Sequence, residues 1–196
     1  MLNFRSIGQV DVNPLLESID LNADLWNEFP DRLMGANAIQ ETKFDDIWVH
    51  MAQSITEMTP DEQTECLKHG PYINPLNYWR TAYYRLPVKS ILNTLFDHVD
   101  GQAYGRVFIS RLPPGAEIFP HIDVDILHFA RFHVALSQDL DQLFMCGDEI
   151  YSPKLGEIFW FNNSVMHSVI NNSDKPRLSM IVDIQTPWLK LYKETI

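Results

Sequence analysis

The sequence predicts a mainly β protein, a jelly roll of antiparallel strands whose N-terminal half adds flanking helices. Two observations support this fold class. From Tyr104 onward, short runs of β-branched and aromatic residues are separated by turn-forming residues, which is typical of sandwiches and small barrels. Before Gly101, helical periodicity and helix-capping residues dominate instead. The change between the two patterns falls near Gly101.

Three segments of the N-terminal half carry helical signals. Residues 59–62 (TPDE) combine an N-cap threonine, a proline at the first helical position and a glutamate at N3, so a helix should start there and end by Gly70. Residues 87–99 place apolar side chains on one stripe of a 3.6-residue period and predict the strongest helix. A weaker helix is expected over residues 14–28. The aromatic segment 78–84 is predicted to be a strand or an extended arm.

The C-terminal half contains at least five runs that predict strands. Clusters of proline, glycine and asparagine separate them, including residues 113–115, 146–148 and 171–176. Short connections of this kind favour antiparallel pairing. The predicted strands are residues 106–112, 131–137, 149–151, 157–161 and 177–184.

Length and composition favour one domain over residues 1–196. The chain has 196 residues, of which 45% are hydrophobic, and this is enough to bury one core. No break in composition separates the helix-rich part, residues 1–100, from the strand-rich part, residues 101–196. Cys66 and Cys146 are far apart and form no CxxC pair, so neither a zinc knot nor a disulfide framework is predicted.

Charge excludes two classes of partner. The net charge is −11, which repels a phosphate backbone or an anionic membrane surface, so we expect no nucleic-acid partner and no membrane association. The first twenty residues lack a basic segment followed by a long apolar run, and no later stretch is apolar enough to span a bilayer. These observations predict a cytoplasmic protein. The oligomeric state is left open.

His121 and Asp123 are the first candidate metal ligands. Residues two apart on a strand project to the same face, so this imidazole and this carboxylate could hold one ion. Taken alone, the pair is equally compatible with a surface histidine beside an acidic loop. His167, which directly follows a predicted strand, supplies a third ligand. Two histidines and one carboxylate leave coordination positions open, which suits iron(II) oxygenases better than structural zinc.

Arg177 begins the last predicted strand. Alternation places Arg177 and Asp183 on one face of that strand and Leu178 on the other. An inward arginine can hold the far carboxylate of a dicarboxylic cosubstrate through two parallel hydrogen bonds. The alternative is an ordinary exposed arginine at the end of a strand.

Arg131, His133 and Ser110 are candidates for further ligand contacts. The alternation of residues 131–136 turns Arg131 and His133 to the same face, and a core face would not carry two cationic groups without an anionic ligand. In the strand 106–112, Ser110 lies on the same side as Arg106, where its hydroxyl could bind a carboxylate oxygen. A serine in a strand is weak support by itself.

In order and spacing, residues from about Ser110 to Pro187 resemble the aspartyl/asparaginyl β-hydroxylase family of iron(II)- and 2-oxoglutarate-dependent oxygenases. They are also similar to the proline cis-hydroxylases. The matching elements are Ser110, Pro114-Gly115, Pro120-His121, Arg131-Phe132-His133, Gly156-Glu157, Phe161-Asn162-Asn163, His167-Ser168-Val169, Arg177, Asp183 and Pro187.

The resemblance implies a double-stranded β-helix of the cupin-like type, with residues 101–196 as its catalytic core. It implies iron(II) on His121, Asp123 and His167, with O2 and 2-oxoglutarate as cosubstrates. The 2-oxoglutarate would be held by three further side chains, and Arg131 matches the position that meets a substrate carboxylate. Some family members have glycine in place of Asp123, so this chain keeps the fuller triad. The implied 2-oxoglutarate ligands are Arg177, His133 and Ser110.

Several functions stay open at this level. Arg131 favours a carboxylate-bearing substrate, either a free amino acid or an aspartyl, asparaginyl or prolyl residue of a peptide or protein, ahead of a lipid. Residues 1–100, which the resemblance does not cover, would encode the choice among them. A cupin-like binding or sensor protein could use the same barrel without oxygenation. An interaction domain with an acidic surface would make the histidine and aspartate pattern coincidental.

Overall fold

The computed structural model describes residues 3–29, 44–69, 78–123 and 129–187, and its strands form two antiparallel sheets. In the order in which they lie side by side, the strands of the larger sheet are β1 (Phe4–Gln9), β9 (Glu157–Phe161), β6 (Ala130–Ala135), β11 (Arg177–Gln185), β4 (Ala103–Leu112), β2 (Asp45–Met51) and β3 (Tyr78–Trp79). Those of the smaller sheet are β5 (Glu117–His121), β10 (His167–Asn171), β7 (Gln142–Cys146) and β8 (Glu149–Tyr151).

From β4 to β11 the chain passes repeatedly from one sheet to the other. Strands β4, β6, β9 and β11 belong to the larger sheet, while β5, β7, β8 and β10 belong to the smaller one. This winding is that of a double-stranded β-helix, and it confirms the predicted jelly roll. The five predicted strands are all present, and their bounds differ from the predictions by no more than a few residues.

The larger sheet has a core on one face and a pocket on the other. Leu178, Met180 and Val182 point from β11 to the core, where they pack with apolar residues of the helices. Arg177 and Ile181 alternate with them and line the pocket between the two sheets. The predicted alternation of this strand is therefore confirmed.

Four α-helices lie within the described residues: α1 (Asn13–Leu21), α2 (Pro60–His69), α3 (Thr81–Arg85) and α4 (Lys89–His98). The predicted capping box is present at α2, where Glu62 Oε2 accepts a hydrogen bond of 2.8 Å from the Thr59 amide. The helix predicted over residues 14–28 is shorter. Asn27 has a φ of 59°, a conformation that an α-helix cannot include.

The prediction for residues 78–84 was wrong in its second half. Only Tyr78–Trp79 forms a strand, and α3 begins at Thr81. The ring of Trp79 stacks on Tyr83, four residues later, with centroids 4.1 Å apart. That contact favours a helical turn over an extended arm. None of the described helices is long and apolar enough to cross a membrane.

Candidate active site

His121, Asp123 and His167 form a compact group at one end of the smaller sheet. His121 ends β5 and His167 begins β10, and the two residues lie directly opposite each other in the strand register. The backbone N–H of Asp123 donates to the carbonyl of Asn163 at 3.2 Å, which brings the residue after the strand toward His167. One ligand atom from each of the three residues lies within 4.8 Å of the others.

The two imidazoles are held in an orientation suited to metal binding. His121 Nδ1 lies 2.8 Å from the carbonyl of Phe119, and His167 Nδ1 lies 2.9 Å from that of Val165. A carbonyl can only accept, so each Nδ1 is a donor, and in the neutral ring the lone pair is on Nε2. Each Nε2 is 3.9 Å from an oxygen of Asp123.

His167 is also electrostatically prepared to act as a ligand. Burial lowers the pKa of His167 below its usual value, because the charged imidazolium would be desolvated there. The neutral form therefore predominates at pH 7, and only the neutral imidazole can bind a metal ion. The donor set of two nitrogens and one carboxylate oxygen fits iron(II) with open coordination positions.

Arg177 reaches the same pocket from β11. The residue is 7% exposed, and the alternative of an exposed strand-end arginine is excluded. Its guanidinium lies 5.8 Å from the centroid of the Phe144 ring, and burial lowers its pKa to about 10. Within the described part of the chain, Arg177 forms an ion pair with no carboxylate. A buried cation of this kind is costly unless an anion joins it.

His133 and Ser110 line the same pocket as Arg177, on neighbouring strands of the larger sheet. His133 Nδ1 is 3.1 Å from the hydroxyl of Ser179, and the ring is surrounded by three phenylalanine rings whose centroids are 5.3 Å away. Ser110 pairs in register with Ser179 on the adjacent strand. The ring neighbours of His133 are Phe144, Phe159 and Phe161.

Arg131 lines the pocket next to Asp123 and forms two ion pairs. Its Nη1 donates to Asp123 Oδ2 at 2.7 Å, and its Nε donates to Asp183 Oδ1 at 2.8 Å. The strand pattern placed Asp183 on the same face as Arg177 but gave it no role. Its partners, Arg131 and Arg106, lie on the two neighbouring strands, β6 and β4, and a pattern along one strand does not reveal them.

The remaining wall of the pocket is apolar. The pocket has an open volume of about 80 Å³, and aromatic rings border both the histidines and Arg177. Phe144, which the sequence analysis missed, contacts His133 and His167 from β7. Apolar walls exclude bulk water from a polar site and strengthen its electrostatic interactions. The apolar and aromatic lining residues are Phe44, Phe108, Leu112, Ile118, Phe144, Phe161, Val169 and Ile181.

A model of the aspartyl/asparaginyl β-hydroxylase family matches residues 80–187. This is more than half of the chain, and it contains His121, Asp123, His167, Arg177, His133, Ser110 and Arg131. The chain belongs to the aspartyl/asparaginyl β-hydroxylase family. The family match begins at residue 80, so it covers part of the N-terminal half that the sequence resemblance did not reach.

Solved structures with a similar fold are remote from this aspartyl/asparaginyl β-hydroxylase family member. An oxidoreductase of the 2OG-Fe(II) oxygenase family from Burkholderia pseudomallei is 11% identical, with a TM-score of 0.44 over 72% of this chain and 67% of its own. A cupin domain from Bordetella pertussis is 21% identical, with a TM-score of 0.36 over 43% of this chain and 85% of its own. Neither likeness bears on activity. No curated protein matches the chain.

Proposed function

We propose that this protein is an iron(II)- and 2-oxoglutarate-dependent dioxygenase that hydroxylates an aliphatic C–H bond of a carboxylate-bearing substrate. The substrate is a free amino acid or an aspartyl, asparaginyl or prolyl residue. The family supports a hydroxylase. The use of iron and 2-oxoglutarate is inferred from the side chains that share the pocket.

The observation that carries the proposal is the buried charge of Arg177. It lines the same pocket as His121 and His167, and no carboxylate of the described residues neutralises it. A ligand that binds there must bring an anionic group to the guanidinium. A dicarboxylate can reach a metal with one end and Arg177 with the other, whereas a simple metal-binding module has no use for this second anion site.

O2 would be the oxidant, activated by iron(II): one oxygen atom would enter the substrate C–H bond, and the other would enter succinate as 2-oxoglutarate gives up two electrons and releases CO2. The chain binds and orients the participants. We assign the metal to His121, Asp123 and His167, with both histidines fixed through their Nδ1 hydrogen bonds.

We assign the 2-oxoglutarate to Arg177, His133 and Ser110. Arg177 would bind the distal carboxylate in a bidentate manner, while the other two side chains lie on neighbouring strands of the same sheet. The phenylalanine rings around His133 exclude bulk water from the cosubstrate.

We assign the substrate carboxylate to Arg131. Three N–H donors of this guanidinium bind Asp123 and Asp183, and the residue lines the pocket. These bonds fix the guanidinium beside Asp123 at the pocket wall, next to the proposed metal ligands, where the reacting C–H bond would lie.

Anaerobic titration tests the proposal. Iron(II) followed by 2-oxoglutarate should produce a weak visible charge-transfer band, and admission of air should then produce succinate slowly. Free amino acids and peptides that contain aspartate, asparagine or proline are then screened for faster succinate formation. His167→Ala should abolish both signals, whereas His98→Ala, which replaces an exposed histidine on α4, should retain them.

A folded protein that binds iron(II) but shows neither band nor succinate would contradict the proposal. That result would favour the cupin-like binding or sensor protein, which needs no cosubstrate. Circular dichroism of each variant distinguishes loss of a ligand from loss of the fold.

A further inference from the structure

Asp183 on β11 and Arg131 on β6 lie opposite each other and form a bidentate ion pair. Arg131 Nε donates to Asp183 Oδ1 at 2.8 Å, and Arg131 Nη2 donates to Asp183 Oδ2 at 3.0 Å. Two parallel bonds fix the plane of the guanidinium as well as its position. The third donor, Nη1, then points to Asp123 Oδ2 at 2.7 Å. A continuous chain of hydrogen bonds thus runs from Asp183 through Arg131 to Asp123.

The carboxylate of Asp183 is a fixed acceptor at the start of this series of hydrogen bonds. Its residue is 5% exposed. Burial alone would raise the pKa of Asp183, but the nearby charges of Arg131 and Arg106 outweigh it and hold the pKa below its usual value. Asp183 is therefore ionised at neutral pH and attracts both guanidinium groups. Arg106 completes the contact with a hydrogen bond of 3.1 Å to Asp183 Oδ2.

The backbone around Asp183 is adapted to this arrangement. The register of β11 against β4 shifts between Val182 and Ile184, so Asp183 lies at a bulge. Bulges redirect a side chain and are frequent next to active sites. Gly105, on β4, leaves room for it, because a Cβ there would come within 3.0 Å of Asp183 Cβ.

We propose that Asp183 is a positioning residue for metal binding: it fixes Arg131, and Arg131 in turn keeps the carboxylate of Asp123 turned toward His121 and His167. This inference rests on the proposed function only in that Asp123 is a metal ligand. It gives Arg131 a second task besides the substrate carboxylate. It does not involve 2-oxoglutarate.

The test measures metal affinity directly, by titrating the apo protein with Mn(II) and following the electron paramagnetic resonance of the free ion. Asp183→Asn keeps the size of the side chain but removes the charge that holds Arg131. We expect about tenfold to 100-fold weaker Mn(II) binding, as for other residues that orient metal ligands. Asp45→Asn is the matched control, because Asp45 also pairs with an arginine, Arg111, at 2.7 Å but does not line the pocket.

The same substitution in the Asp123→Gly variant distinguishes a positioning role of Asp183 from a general loss of protein stability. In Asp123→Gly, the ligand on which the chain of hydrogen bonds acts is absent, so adding Asp183→Asn should weaken Mn(II) binding no further. An equal further loss in that background would overturn the proposal, as would unchanged or tighter binding in Asp183→Asn alone.

Arg131→Lys replaces Asp183→Asn if circular dichroism shows that the latter does not fold. A lysine ammonium is a point charge that cannot hold Asp183 in two places and also reach Asp123, so the same loss and the same dependence on Asp123 are expected. Wild-type protein that binds Mn(II) but not 2-oxoglutarate would refute the proposed function and leave this inference standing. Wild-type protein without metal binding would refute both.

Discussion

At the level of single residues, function in this site depends on groups that are unfavourable for folding. Arg177 is the clearest case, since its guanidinium is buried at the pocket wall without an acidic partner among the described residues. The strand pattern left both an inward and an exposed Arg177 open, and the burial of the side chain decides for the inward orientation. The pattern could not predict Asp183 as the partner of Arg131, since that contact depends on the pairing of β11 with β6 and on a bulge.

Arg177→Met should make the ligand-free protein more stable and abolish its response to 2-oxoglutarate. Methionine fills much of the same space without a desolvated charge, so we expect the free energy of unfolding to rise by at least about 1 kcal/mol. Urea denaturation with and without 2-oxoglutarate, in the presence of Mn(II), measures both effects.

Arg177→Lys is the control for charge in this comparison. It keeps the cation but loses the bidentate geometry, so it should bind 2-oxoglutarate weakly and gain no stability. A methionine variant that is less stable than wild type in the absence of ligand would show that the charge of Arg177 is compensated within the fold.

At the level of elements, several strands left no clear sequence signal. Strand β5 contains Pro120, which argues against a strand, but β5 lies at the edge of the smaller sheet, where proline is tolerated. Strand β2 is buried on both faces, so it shows no polar alternation. The prediction did include the edge strand β8 and the fully buried strand β9, whereas β7 and β10 in the middle of the smaller sheet were not predicted.

Two glycines at turns provide a matched test of the loops. Gly156 has a φ of 77°, and a Cβ there would lie 2.1 Å from the carbonyl oxygen of Val10. Gly115 has a φ of 71°, but no atom lies within 4 Å of its Cβ position. We expect Gly115→Ala to cost about 1 to 2 kcal/mol for the left-handed backbone alone. Gly156→Ala should cost clearly more, because β1 and the turn before β9 must separate.

Thermal and urea denaturation of both alanine variants measure this difference. Equal losses would mean that the strand β1 moves away from Gly156 at little cost.

At the level of the whole molecule, the stability of the apo protein should depend on pH through its buried histidines. Burial lowers the pKa of His50 and that of His167 below the ordinary value of 6.5. Below pH 6.5 the histidines bind protons in the unfolded chain more readily than in the native state. The free energy of unfolding therefore decreases as the pH is lowered. This contribution is complete above about pH 6.5 and is lost progressively in acid.

Urea denaturation at pH 7.5, 6.0 and 5.0 checks this dependence. His50→Gln removes one of the two groups and keeps an amide that can donate to the carbonyl of Gly105, which His50 Nδ1 contacts at 2.6 Å. The variant should lose less stability than wild type between pH 7.5 and 5.0. Equal losses would mean that His50 titrates normally in the native state.

The proposed metal site has a consequence for the stability of the smaller sheet. His121 closes β5, the edge strand, and its neighbour β10 begins with His167. An ion bound to both residues would cross-link β5 to β10 and oppose the separation of the edge strand from the smaller sheet. An edge strand that separates from its sheet exposes backbone groups, which can then pair with other chains or be cleaved by proteases. Under the proposed function, loss of iron would therefore lower the resistance of the protein to proteolysis as well as its activity.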